Sequence, residues 1–161
     1  MLVFIDMDGV VSDFDEHIVN CYGKPMDQMS GSEKDQFWKI DCAAKQFFAN
    51  SPPISEGVAM VKRFRELGIP LCFLTSTGGG EQHTEIARQK LHFLREHGMG
   101  RLPVAFATGT ASKAAFANKN TVLIDDRQKV VTAFAESGGK AFLFNRWNSN
   151  AIAIQIEEIM R

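Results

Sequence analysis

The sequence predicts a three-layer α/β domain: a central parallel sheet covered by helices on both faces. Three observations point there. Short apolar runs without alternation, such as Leu2-Val3-Phe4-Ile5 and Val122-Leu123-Ile124, read as strands buried on both faces. Between them, apolar residues recur at spacings of three and four, as amphipathic helices require. The two kinds of segment alternate through most of the 161 residues without an internal repeat, as in parallel strands joined by crossover helices.

The elements follow in order. Residues 2–5 form the first strand. After it, Val11, Phe14, Ile18 and Cys21/Tyr22 recur at helical spacing. Asp8-Gly9 could instead make a hairpin turn, but the period of two that a hairpin needs is missing after Gly9. From Gly23 to Pro53 the texture changes. GKPMDQMSGSEKDQ is polar and turn-rich, and QFWKIDCAAKQFFANSPP is aromatic with no clear strand. A small helical insertion at about 16–54 is therefore expected within one domain spanning 1–161. Residues 55–67 carry Val58, Val61, Phe64 and Leu67 on one helical side, and Gly68 ends that helix. A strand is expected over 69–74. A polar-faced helix follows over 81–97, with Ala87, Leu91 and Leu94 as its apolar stripe and Gly98 as its stop. Residues 104–107 form a weaker strand, 112–117 a short helix, 122–124 a strand, 127–136 a helix and 140–144 a strand. Ile152, Ile156 and Ile159 mark a last helix.

Composition narrows the function classes. Eighteen Lys and Arg stand against 19 Asp and Glu, a net charge of −1. That balance gives no basic surface for nucleic acid, and no stable nucleic-acid partner is expected. No apolar stretch is long enough to span a bilayer, so no membrane partner is expected either. The start lacks a basic segment, and Asp6 and Asp8 interrupt its apolar run, unlike a signal peptide. Cys21, Cys42 and Cys72 are odd in number, scattered, and free of any C-x-x-C pair. Neither a disulfide frame nor a zinc site is indicated, and a cytoplasmic setting is the expectation.

In parallel sheets ligands gather at the carboxyl ends of the strands. Here LVFI is followed by Asp6-Met7-Asp8-Gly9, LCFL by Thr75-Ser76-Thr77-Gly78-Gly79-Gly80, and VLI by Asp125-Asp126-Arg127. Lys113 stands between the last two, in GTASK. Each piece alone has a plain reading. Asp8-Gly9 can be a turn, Thr75-Ser76 a helix N-cap, and the glycines a flexible loop. Asp126 can cap the next helix, and a lone lysine is usually a solvated surface charge. His17 and His83 read as surface residues. An EF-hand fits worse, because Val10 holds its fifth position and Gly9 its fourth. A P-loop is excluded, because no Gly-Lys-Ser/Thr follows the glycines.

Together the pieces imply one chemistry. Clustered carboxylates need a cation, and oxygen ligands without His or Cys favour Mg²⁺. A phosphate needs hydroxyl and backbone donors plus a positive charge. A carboxylate beside Mg²⁺ can attack phosphorus and form an aspartyl-phosphate. A second carboxylate two residues on can protonate the leaving oxygen and then activate water.

DMDGV, LTST, Lys113 and LIDD stand in the order of the four motifs of the haloacid-dehalogenase-like phosphatases. The chain resembles that family throughout, apart from the insertion. The resemblance implies a Rossmann-like fold with a small helical cap, Asp6 as nucleophile and Mg²⁺ ligand, and Asp8 as acid/base. Asp8 would bind the metal through its backbone carbonyl. Thr75, Ser76 and Lys113 would bind phosphate, Asp125 would complete the metal site, and Asp126 would be a supporting acid. DMDGVVSDF, the Phe-Trp and Phe-Phe pairs, PISEG before a helix, Thr-Ser and LIDDR further resemble the 5′(3′)-deoxyribonucleotidases. That resemblance implies a Mg²⁺-dependent phosphomonoesterase acting on a nucleoside monophosphate, with cap aromatics stacked on the base. Phe14, Phe37, Trp38, Phe47 and Phe48 are the candidates; each could equally be core of the insertion. The chain departs from the nucleotidases in having Thr77 and three glycines where Pro usually follows Thr-Ser, and in a shorter cap. The same chemistry would also suit a sugar phosphate, a polynucleotide 3′-phosphate or another small phosphorylated metabolite. A non-catalytic binding domain would predict the loss of a motif residue, and all four motifs are intact.

Overall fold

The computed structural model describes residues 1–78 and 80–160. Five strands form one parallel sheet: β1 (Leu2–Ile5), β2 (Leu71–Ser76), β3 (Val104–Ala107), β4 (Thr121–Asp125) and β5 (Lys140–Leu143), in the order β3-β2-β1-β4-β5. Val3 lies opposite Leu71 on one side and Val122 on the other. The absence of alternation is explained by burial on both faces. Val3, Ile5, Leu71, Phe73, Val122 and Ile124 pack on α4 (Ser55–Glu66), α5 (His83–Glu96) and α7 (Ser149–Met160) through Phe64, Phe93 and Ile156. Phe4, Leu74 and Leu123 pack on the opposite side against Val130 and Phe134 of α6 (Gln128–Glu136) and Phe116 of the 3₁₀ turn Thr110–Phe116. At about 1.5–3 kcal/mol per fully buried aliphatic or aromatic side chain, this double-sided burial is the main force holding the sheet.

The first helix starts later than the apolar spacing suggests. α1 (Phe14–Tyr22) is capped by Asp13, whose carboxylate accepts from the Glu16 N–H. Val10 and Val11 are buried in a tight loop instead, where the Met7 carbonyl accepts from the N–H groups of Val10, Val11 and Ser12. Gly57 lets α4 sit on that loop: a Cβ there would fall 1.7 Å from the Val10 carbonyl oxygen. Leu67, expected on the buried side of α4, is its exposed C-cap.

Between α1 and α4 the chain forms α2 (Gly31–Gln36), a π-helical turn Phe37–Asp41 and α3 (Cys42–Ala44). Phe14, Ile18, Phe37, Phe47 and Phe48 make a separate small core that closes on Ile86 of α5. Gln89 of α5 ties it down, accepting from the Phe48 N–H and donating to the Ala43 carbonyl. The buried face of α5 is therefore not the expected stripe. Ile86, Gln89, Lys90, Phe93 and Leu94 are buried, while Ala87 and Leu91 are half-buried. Two polar side chains sit inward because one bonds the insertion and the other reaches the strand ends.

β2 runs two residues beyond the expected strand, so Thr75 and Ser76 are ladder residues opposite Phe106 and Ala107 rather than a helix cap. Among the described residues, no helix is long and apolar enough to cross a membrane.

Candidate active site

The carboxyl ends of β1, β2 and β4 meet on one rim. Asp6 leaves β1 with its N–H donated to the Ile124 carbonyl, which holds it beside the end of β4. Its Oδ1 accepts from the Met7 N–H at 2.7 Å, and its Oδ2 pairs with Lys113 Nζ at 2.7 Å. Lys113, 1% exposed, also donates to Asp125 Oδ2 at 2.7 Å. Asp125 Oδ1 accepts from the Arg127 N–H. Asp126 completes the group: one oxygen each of Asp6, Asp125 and Asp126 lie within 4.8 Å of one another. Asp126 Oδ1 is buried without a hydrogen-bond partner among the described residues.

The electrostatics follow from this crowding. Burial, then the charges of Asp6 and Asp125, push the Asp126 carboxyl up to about 7. Burial and Asp6 raise Asp125 as well. Burial works against the Lys113 charge, but the carboxylates of Asp6 and Asp125 outweigh it and hold the ammonium above its usual value. Three carboxylates against one ammonium leave a formal charge of −2. An all-oxygen donor set, an unpartnered buried oxygen and that residual charge fit a hard divalent cation such as Mg²⁺. Gly9 is required in the same place. It has φ +78°, and a Cβ on it would fall 2.2 Å from Asp126 Oδ2.

Asp126, expected as a supporting acid, stands in the carboxylate trio directly beside Asp6 and Asp125. The Asp8 carboxylate, expected as the acid/base, is paired through Oδ2 with Lys90 Nζ at 2.6 Å. Lys90 was not apparent as a site residue in the sequence. Its ammonium, 1% exposed, also donates to Thr75 Oγ1 and to the Ser76 carbonyl, each at 2.7 Å. One signal could have found it: Ile86, Lys90 and Leu94 form an i, i+4, i+8 row, so a lysine occupies an apolar ridge.

A cavity of about 280 Å³ opens over Asp6, Asp8 and Lys113. Phe14, Trp38 and Phe48 line it, with the Phe14 and Trp38 rings 14° from parallel and 6.3 Å apart. Ser76, Thr77, Gly78, Thr110 and Arg127 also line it. Phe37 and Phe47 do not; both are buried in the core of the insertion, which corrects the expectation that they face a ligand. The π-turn separates neighbours here: Phe37 is fully buried while Trp38 is 43% exposed. Thr75 is likewise fully buried outside the lining, bonded to Lys90, so of the expected pair Thr75 and Ser76 only Ser76 lines the cavity. Of the three glycines, Gly78 lines the cavity and Gly79 lies outside the described residues. His83 is half-buried with its ring on the Thr77 hydroxyl, and His17 is half-buried against Phe47, so neither is a plain surface residue. Arg127 has no carboxylate within 4.0 Å among the described residues.

No protein-family model and no curated protein sequence matches the chain. Solved structures do. A HAD-superfamily hydrolase from Ehrlichia chaffeensis aligns over 99% of this chain and 97% of its own, with TM-score 0.57 and 12% identity. The D,D-heptose 1,7-bisphosphate phosphatase from B. bronchiseptica, solved with magnesium and phosphate, aligns over 98% of both chains with TM-score 0.55 and 12% identity. A hydrolase from Streptococcus pneumoniae TIGR4 aligns over 98% of this chain and 97% of its own, with TM-score 0.54 and 13% identity. The chain has their fold. At such identities the likeness reaches no further, and the chemistry rests on the residues themselves.

Proposed function

We propose that the protein is a Mg²⁺-dependent phosphomonoesterase whose substrate is a nucleoside monophosphate. The carrying observation is Asp6: a buried carboxylate, held by the Met7 N–H and Lys113 beside Asp125 and Asp126, on a cavity with an aromatic wall. The residues 16–54 serve in this reading as a cap, which supplies Trp38 and Phe48 to that wall.

Asp6, Asp125 and Asp126 would hold the metal, with the Asp8 backbone carbonyl. When bound, Mg²⁺ supplies the positive charge that offsets the transferring phosphoryl group. A phosphate dianion would otherwise meet a site of formal charge −2. Lys113 and the Ser76 hydroxyl bind the phosphate oxygens. An Asp6 oxygen attacks phosphorus, the bond to the leaving oxygen breaks, and Asp8 gives that oxygen a proton. Water then attacks the aspartyl-phosphate, its proton passes to Asp8, and free phosphate leaves with Asp6 restored. The greasy strand and the Met7 N–H keep Asp6 aimed, so little reorganisation accompanies attack.

The base reading is supported by Phe14, Trp38 and Phe48, three near-parallel rings beside the catalytic groups. A sugar phosphate is the second reading. Thr77, Thr110 and Arg127 on the same cavity favour it, being donors suited to hydroxyls. The test is phosphate release with Mg²⁺ across ribo- and deoxyribonucleoside monophosphates and sugar phosphates, with Asp6→Asn as control. Selective turnover of nucleotides is expected. Turnover of sugar phosphates alone keeps the chemistry and discards the nucleotide. No release from any substrate overturns the reading.

A further inference from the structure

We infer that Arg127 is a further catalytic residue, whose guanidinium grips the transferring phosphoryl group and supplies a positive charge that no other side chain on the cavity has to spare. The inference rests on the phosphatase chemistry proposed above.

The reasoning is one of charge balance over Asp6. Among the described residues that line the cavity, only Lys113 and Arg127 are cationic. Lys113 is largely spent. Its ammonium pairs with Asp6 Oδ2 and Asp125 Oδ2, each at 2.7 Å, which leaves one N–H for a ligand. Lys90 is spent too, paired with Asp8 Oδ2 at 2.6 Å. With a divalent cation held by Asp6, Asp125 and Asp126, those three carboxylates and Lys113 are neutral together. An incoming phosphate dianion then brings two negative charges, and Arg127 is the cation left to meet them.

The placement of Arg127 agrees. Arg63, Arg88 and Arg146 each meet a carboxylate within 4.0 Å, whereas among the described residues Arg127 meets none. Its backbone N–H is bound to Asp125 Oδ1 at 2.9 Å, which fixes the residue at the end of β4, beside the strand that ends in Asp6. Its charge is felt there: Asp126, raised by burial and by Asp6 and Asp125, is lowered by Arg127. An exposed arginine usually belongs to solvent. This one stands on the wall of the cavity that opens over the attacking carboxylate.

A guanidinium is charged at any working pH and offers paired N–H donors that match two phosphate oxygens at once. As Asp6 attacks, negative charge spreads over the three oxygens that stay on phosphorus. Arg127 holds two of them from the cavity side while Lys113 gives its remaining N–H. It makes and breaks no covalent bond and gives up no proton. Thr77 and Thr110 then remain as donors for hydroxyls of the substrate.

Arg127→Gln tests this, with a nucleoside 5′-monophosphate and p-nitrophenyl phosphate as substrates. Both kcat/KM values should fall by about 100-fold or more, and to a similar extent, because the two esters share only the phosphoryl group. A fall confined to the nucleotide would put Arg127 on the leaving group and overturn the inference. The loss should persist at saturating Mg²⁺; recovery there would mean that Arg127 serves the carboxylates alone, and also overturns it. Arg127→Lys, which keeps the charge and loses the fork, should fall between wild type and Arg127→Gln; a lysine variant no better than Gln refutes the charge argument. A readout free of turnover is the binding of inorganic phosphate in the presence of Mg²⁺, followed by calorimetry and by the ¹⁵N spectrum of the arginine Nε–H groups. The Kd should rise by about tenfold in Arg127→Gln. Phosphate should also move one arginine signal that is missing in that variant. Phosphate binding that is absent, or equal in the two proteins, overturns the inference. Binding that depends on Arg127 in a protein that hydrolyses neither ester upholds the Arg127 assignment and sinks the phosphatase reading instead.

Discussion

Stripping the divalent cation should make the protein less stable as pH rises, the reverse of the usual carboxylate behaviour. The cause is Asp126, whose carboxyl is moved from 3.8 to about 7 by burial and by the charges of Asp6 and Asp125. Between those values the folded protein holds a proton that the unfolded chain has lost. Unfolding is then increasingly favoured with rising pH, and the effect is complete above about pH 7. From pH 5 to pH 7 each pH unit contributes about 1.4 kcal/mol, on the order of 3 kcal/mol for Asp126 alone. Asp125, raised for the same reasons, acts in the same direction. His17 opposes: burial lowers its proton affinity, so its folded form gains as pH passes the usual imidazole range. In a domain this long, 1 kcal/mol corresponds to about 2–4 °C in Tm. The chelated protein should therefore melt roughly 6–12 °C lower at pH 8 than at pH 5, less the His17 contribution. Mg²⁺ at pH 8 should recover most of that loss, since the cation replaces the protons that the trio otherwise needs. Thermal melts with chelator and with Mg²⁺ at both pH values are the assay. A flat or rising Tm in chelator would refute the crowding argument. No stabilisation by Mg²⁺ at pH 8 would remove the trio as a cation site.

Other perturbations separate chemistry from packing. Asp6→Asn should lower phosphate release by about 10³-fold or more while melting as a folded protein; retained turnover would end its assignment as nucleophile. Trp38→Ala should raise KM for a nucleotide by about tenfold with little change in Tm, since the ring is 43% exposed. Phe37→Ala, one residue away but fully buried, should instead cost about 3–5 kcal/mol in urea unfolding. Gly57→Ala should destabilise by about 2 kcal/mol or more and slow turnover, because the new methyl meets the Val10 carbonyl and displaces the loop carrying Asp8. Wild-type stability in Gly57→Ala would mean that α4 can shift without cost.

The sequence by itself determined the layer order and the rim. Double-sided burial forces unalternated apolar runs, and the residues directly after such runs must sit where parallel strands end. Asp6, Ser76 and Asp125 were legible for that reason, and Lys113 as the lysine standing between two of those strand ends, in GTASK. Tertiary structure decided what each side chain does there. Nothing local distinguishes Asp126 from a helix cap; its place in the trio comes from β1 and β4 lying side by side, which brings Asp6 within reach. Nor does local pattern separate Phe37 from Trp38, since a π-turn changes which neighbour faces inward. Lys90 was the deepest omission. A lysine on α5 is 82 residues from Asp8 in the chain, and only the packing of that helix across β2 turns an expected surface charge into a buried donor. Burial patterns are local consequences of which side of an element meets the core, so sequence periodicity records them. Charge pairing between distant segments leaves no periodic trace, so it emerges only when the segments pack.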